Sequence, residues 1–123
     1  MAASGEVEVG MDAESSRAAL RRARAETELL IASLTRDLNG VIDASLSSNA
    51  DDEHDPEGAT IAFERAQVAA LLAGARRRLA DLDDALSRLD AGTYGRCERC
   101  GLPIPAERLA VRPSARTCVH CAG

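Results

Sequence analysis

The chain has 123 residues, with 15 basic residues, all of them arginine, against 20 acidic ones, for a formal net charge of -5. That length allows one ordinary domain with at most a small accessory module. The charge argues against a protein whose main task is gripping phosphate backbones, which takes many cationic contacts.

Phe63 and Tyr94 are the only residues of the Phe, Tyr and Trp classes, so a broad core built on aromatic side chains is excluded and alanine and leucine must do the packing. Residues 1–13, "MAASGEVEVGMDA", are acidic and without periodicity, and are expected to form a flexible tail. They show neither a basic opening nor an apolar run, so no secretory signal is expected. No later segment approaches the roughly 20 apolar residues that span a bilayer. A cytoplasmic protein without membrane contact is the expectation.

Residues 14–91 read as two helices. The first, about 15–46, starts at Ser15 or Ser16 as N-cap and carries Leu20, Leu30, Leu34, Leu38 and Val41 on one stripe, widened by Ile31 and Ile42. A polar, turn-like stretch follows, "SSNADDEHDPEG", and the tip it predicts covers about 47–59. The second helix, about 56–91, repeats Ile61, Val68, Leu72, Ala75, Leu79, Leu82, Leu86 and Leu89, with later steps of four and three residues in heptad fashion. It should stop at Gly92, which can take the left-handed cap conformation. The predicted fold is mainly α: an antiparallel two-helix coiled-coil hairpin, roughly 45 to 50 Å long at 1.5 Å rise per residue, followed by a small zinc-finger module over residues 92–123.

That module rests on the pattern C-x2-C-x17-C-x2-C formed by Cys97, Cys100, Cys118 and Cys121. One tight Cys-x-x-Cys turn delivers two thiolates to one metal, and two such turns complete the tetrahedron that Zn2+ prefers. In a reducing compartment two close pairs read as metal ligands rather than disulfides. One structural Zn2+ is therefore predicted, with an iron or iron-sulfur site and a redox dithiol as lesser alternatives. Four cysteines leave no open position for a catalytic water. His120, inside the second pair, is expected to be exposed or to sit behind the ligands, and His54 has no partner at metal-site spacing. A fold of about 30 residues usually needs a metal or a disulfide to hold it. The formal -2 of a four-thiolate zinc centre would be offset by Arg96, Arg99, Arg108, Arg112 and Arg116.

Together with the helices before it, the stretch "GTYGRCERCGLPIPAERLAVRPSARTCVHC" resembles the DksA/TraR family of zinc-finger proteins with four cysteine ligands. The likeness is strongest over about residues 90–121, in the lead-in to the first cysteine and in the Arg-Pro before the second pair. Members of that family bind bacterial RNA polymerase and regulate initiation without needing to bind promoter DNA. Their hairpin enters the secondary channel, with acidic residues at its tip acting near the catalytic centre.

The resemblance implies a non-enzymatic transcription regulator with RNA polymerase as partner and no sequence-specific DNA binding. Its acting tip would be Asp52, Glu53, Asp55, Glu57 and Ala59. The tip departs from the family's Asp-x-x-Asp-x-Ala: counting back from Cys97 without a gap sets His54, Glu57 and Ala59 in those places, and an inserted residue would turn a helix face by about 100°. Asp55-Pro56-Glu57 is also an ordinary helix start. The chain ends two residues after Cys121, where longer members continue into a helix, and Asp81 and Ala122 stand where the family uses basic residues for ppGpp. Synergy with ppGpp is accordingly not expected. The alternative reading is a structural zinc-finger adaptor whose helical hairpin binds another protein.

Overall fold

The structure, a computed structural model, describes residues 12–48 and 56–122, without the side chains of residues 48, 56 and 57. It is built on two 36-residue helices, α1 (Ala13–Ser48) and α2 (Pro56–Ala91), and one short helix, α3 (Ala106–Val111). Among the described residues there is no strand, only an isolated antiparallel bridge between Arg96 and Pro103. No described helix is long and apolar enough to cross a membrane. The tail expected over residues 1–13 lies, except for its last two residues, outside the described residues.

Asp12, rather than Ser15 or Ser16, caps α1. Its Oδ1 accepts a hydrogen bond from the Ser15 N–H at 2.7 Å and its carbonyl accepts one from the Ser16 N–H at 2.9 Å. An Asp in that place satisfies first-turn donors and puts a negative charge at the positive end of the helix dipole. The Ser15 amide holds the Asp12 carboxyl below the usual carboxylate range. At the start of α2, Pro56 occupies the first helical position, where its missing N–H costs nothing. The helix ends at Gly92, with φ at 83°, and the N–H groups of Thr93 and Tyr94 both return to the Arg88 carbonyl, at 2.9 and 3.2 Å.

The described chain falls into two compact units, one of residues 12–25 with 80–122 and the other of residues 26–48 with 56–79. In the second unit Leu34 of α1 packs on Leu72 and Ala75 of α2, with Ile31, Leu38 and Val68 closing the cluster. In the first unit Leu20 and Ala23 of α1 meet Leu82 and Ala85 of α2, flanked by Leu86, Leu89 and Tyr94. Arg17 pairs with Asp90 and Arg24 with Asp83, so the partner number falls as the α1 number rises, as antiparallel packing requires. These exposed pairs add at most about 1 kcal/mol each. Burial of the leucines, at roughly 1.5–3 kcal/mol apiece, is the larger contribution.

The α1 stripe differs from its expected course at Leu30, which is 48% exposed. The buried positions of α1 are Ser16, Leu20, Ala23, Thr27 and Leu34, and together with half-buried Ile31 and Leu38 they advance in steps of four and three that pass through Ile31 and leave Leu30 about 100° off the seam. Ser16 and Thr27 occupy two of these positions at 3% exposure, and no buried side-chain nitrogen or oxygen among the described residues lacks a partner.

Candidate metal centre

The first unit ends in a module whose turns are set by short-range chemistry. Cys97 and Cys100 bracket a tight turn in which the Gly101 N–H reaches the Cys97 carbonyl at 2.9 Å and the Cys97 N–H reaches the Leu102 carbonyl at 2.8 Å. Gly101 takes φ at 77°, a left-handed conformation that suits glycine. At the second pair, the N–H groups of Cys121 and Ala122 both return to the Cys118 carbonyl, at 3.1 and 3.0 Å. Between the pairs α3 places Leu109 inward, where it packs with Ile104, Ala115, Cys97 and Cys118 against Tyr94 and Cys121. That cluster contains three buried side chains that are not cysteine, which is little apolar area for a module of this length.

The four cysteine sulfurs lie within 4.8 Å of one another, and the Cys100 and Cys118 sulfurs are 3.9 Å apart. A tetrahedron with Zn–S bonds of about 2.3 Å has edges of about 3.8 Å, so the set fits one zinc ion. No disulfide joins them. The thiols differ in acidity. The Cys100 backbone N–H, 3.5 Å from the Cys97 sulfur, heads a set of amides that pulls the Cys97 thiol down to about 6, whereas hydrogen bonds with Cys118 and Cys97 push Cys121 up to about 12. Four packed sulfurs cannot all ionise beside one another without a cation, and a divalent metal reverses that balance by holding every thiolate.

The arginines expected to offset the thiolate charge act mostly through backbone oxygens. Arg96 donates to the Gly101 carbonyl at 2.6 Å, Arg99 to the Cys121 carbonyl at 3.1 Å, and the Arg108 Nε to the Thr117 carbonyl at 2.8 Å. Arg99 and Arg108 thereby tie segments far apart in sequence onto the two Cys-x-x-Cys turns. Arg116 instead donates to Asp84 of α2, which also receives Arg88 at 3.0 Å. Arg116, followed by Arg88, keeps the Asp84 carboxyl below its ordinary range. His120 is exposed and outside the sulfur cluster. Asp81 and Ala122 line one open cleft with Arg108, Arg112 and Arg116.

Sequence reasoning assigned no role to Tyr94, which joins the metal module to the helices of its own unit. Its ring packs on both clusters there, its hydroxyl donates to the Pro113 carbonyl at 2.7 Å, and the Arg88 guanidinium sits 5.9 Å from the ring centre. As the sole tyrosine of the chain, standing three residues before the first cysteine, it carried a signal that could have been read.

Of the tip residues named from the sequence, Asp52, Glu53 and Asp55 lie outside the described residues, as does His54. Glu57 is the second residue of α2, and Ala59 is exposed on the same helix.

Comparison with known proteins matches residues 92–123 to the family described as the prokaryotic dksA/traR C4-type zinc finger. An uncharacterized protein of Aquifex aeolicus is 50% identical over 44 residues, 36% of this chain and 30% of that protein. The RNA polymerase-binding transcription factor DksA of Caulobacter vibrioides is 43% identical over 45 residues, 37% of this chain and 32% of that protein. The chain thus spans less than half the length of the curated relatives it matches. The solved structure of the transcription factor DksA2 from Pseudomonas aeruginosa superposes with a TM-score of 0.73 at 28% identity, covering 88% of this chain and 78% of that one. Residues 92–123 thus carry a dksA/traR C4-type zinc finger with its four thiols gathered for one zinc, and the chain as a whole is similar in fold to DksA2.

Proposed function

We propose that this protein is a non-enzymatic regulator of transcription that binds bacterial RNA polymerase. The observation that carries the reading is the joint match to DksA2 over 88% of the chain, helices and finger together. A finger alone is shared by proteins of many functions, whereas paired helices leading into a finger of this type are the arrangement of a protein named as a transcription factor. The relative from Caulobacter vibrioides, named as RNA polymerase-binding, supports the same partner.

In this reading Cys97, Cys100, Cys118 and Cys121 hold one structural Zn2+, and residues 92–123 form a handle outside the enzyme. The helices of residues 14–91 enter the secondary channel of the polymerase, the pore that leads to its active site. The tip of about 47–59 reaches furthest, with Asp52, Glu53, Asp55, Glu57 and Ala59 near the catalytic centre. The protein works in the cytoplasm and reads no DNA sequence, and synergy with ppGpp is not part of this reading, since Asp81 and Ala122 stand where the family uses basic residues.

The test replaces the active-site Mg2+ of the host polymerase with Fe2+, adds the end-labelled protein, and maps where locally generated radicals cut it. Cuts clustered around residues 50 to 60 support the channel reading. An uncut chain, under conditions in which a known channel-binding factor is cut, overturns it and leaves a helical adaptor for another protein. Replacement of Asp55 and Glu57 by Ala then tests the tip: an unchanged effect on transcription removes the tip from the mechanism.

A further inference from the structure

Besides the seam it shares with α1, α2 carries an outer line of heptad-spaced positions with one leucine at its centre. Leu71 is 55% exposed, in the same helix where its neighbour Leu72 is buried at 4%. Stepping outward from Leu71 by alternating threes and fours gives Thr60, Glu64, Gln67, Leu71, Gly74 and Arg78, the spacing that keeps side chains in one line along a helix. This line lies about 100° around the helix from Leu72. Every member that carries a side chain is exposed, and the 70%-exposed Phe63 stands beside its first half.

The charges on this line are arranged symmetrically. Glu64 stands seven residues before Leu71 and Arg78 seven residues after it. A two-fold interface places each surface against its own copy, so that residue i meets j and j meets i. If two α2 helices lie antiparallel with the axis at Leu71, Leu71 meets its counterpart and each Glu64 meets the other chain's Arg78. Within one chain the two are about 21 Å apart along the helix, beyond the screening length at physiological salt. Among the described residues neither makes an ion pair.

We propose that the protein self-associates into an antiparallel two-fold dimer through this outer seam of α2, centred on Leu71 and held in register by reciprocal Glu64–Arg78 pairs. One short seam buries less than a standard interface, so the dimer is weak, with a Kd on the order of 100 µM. The dimer stands independently of the polymerase reading. One consequence rests on that reading: the dimer is the form too broad for a pore, and dilution or capture by polymerase releases the monomer.

The experiment is sedimentation equilibrium of the zinc-loaded full chain from about 5 µM to about 1 mM, a range that brackets the expected constant. E64R and R78E are examined singly and together, with helix content and zinc stoichiometry checked for each. The wild type should pass from monomer to dimer across this range. Each single reversal turns two attractions into two repulsions and should weaken association about tenfold. The double variant restores opposite charges only between chains and should return to within about threefold of the wild type. A chain that stays monomeric to the top of the range overturns the proposal. So does a dimer that the single reversals leave unchanged, or one that the double variant fails to rescue.

Discussion

Replacing Leu82 by Ala probes the seam where it is most tightly packed. Leu82 is 1% exposed and touches Leu20 at 0%, Ala85 at 0% and Ala23 at 8%. Removing its three outer carbons forfeits about 2.4 kcal/mol of transfer free energy, at about 0.8 kcal/mol per methylene. Alanines line much of the space left behind and have no rotamer with which to fill it, so a cavity contribution adds to this. The helix pair can close part of the gap, which keeps the total near 3–4 kcal/mol rather than the upper limit of about 5 kcal/mol. Urea unfolding of the zinc-loaded chain, followed by circular dichroism, reads the change. At a slope of about 1.5 kcal/mol per molar urea the midpoint should fall by about 2 M with the slope unchanged. Leu29, 72% exposed on α1, is the control: Leu29→Ala should shift the midpoint hardly at all, because Ala is the better helix former and little packing is lost. A Leu82→Ala midpoint within error of that control would refute the assignment of Leu82 to the seam.

Replacing Cys118 by Ser should lower the zinc content below one per chain and release the fold of residues 92–123, since the buried cluster there is too small to hold without metal; zinc analysis with amide exchange over those residues checks it. Tyr94→Phe should cost about 1 kcal/mol by leaving the Pro113 carbonyl without its donor, read as a shift of the unfolding midpoint at neutral pH. Burial raises the Tyr94 hydroxyl above its ordinary value of 10.0, so the neutral form is the one the fold favours. Its contribution is complete below pH 10 and is lost as the pH climbs through the raised value. The wild type should therefore show an alkaline loss of stability that Tyr94→Phe lacks, and matching alkaline limbs for the two proteins would show that Tyr94 does not cause it.

The sequence by itself determined the features that depend on near neighbours. Cysteines three residues apart must share a turn, Gly92 and Gly101 supply the positive φ that the turns at those places take, and heptad leucines in α2 fix which side of that helix is apolar. The Cys-x2-Cys pairs with a seventeen-residue spacer were enough to name a metal, because ligand number and spacing are properties of a short stretch. What the tertiary structure decided are pairings between residues distant in the chain. Leu30 looked like a core residue beside Ile31, but antiparallel packing admits one of the two to the seam, and Ser16 and Thr27 occupy positions that hydrophobicity alone would not have given them. Asp84 reads as one acid among many on α2 until Arg116, 32 residues later, is brought to it. Tyr94 reads as part of a motif until its ring is seen between two clusters and its hydroxyl at Pro113. Short-range geometry is set by covalent connection and local sterics, whereas long-range burial and charge pairing exist only once two helices and a finger occupy the same few ångströms.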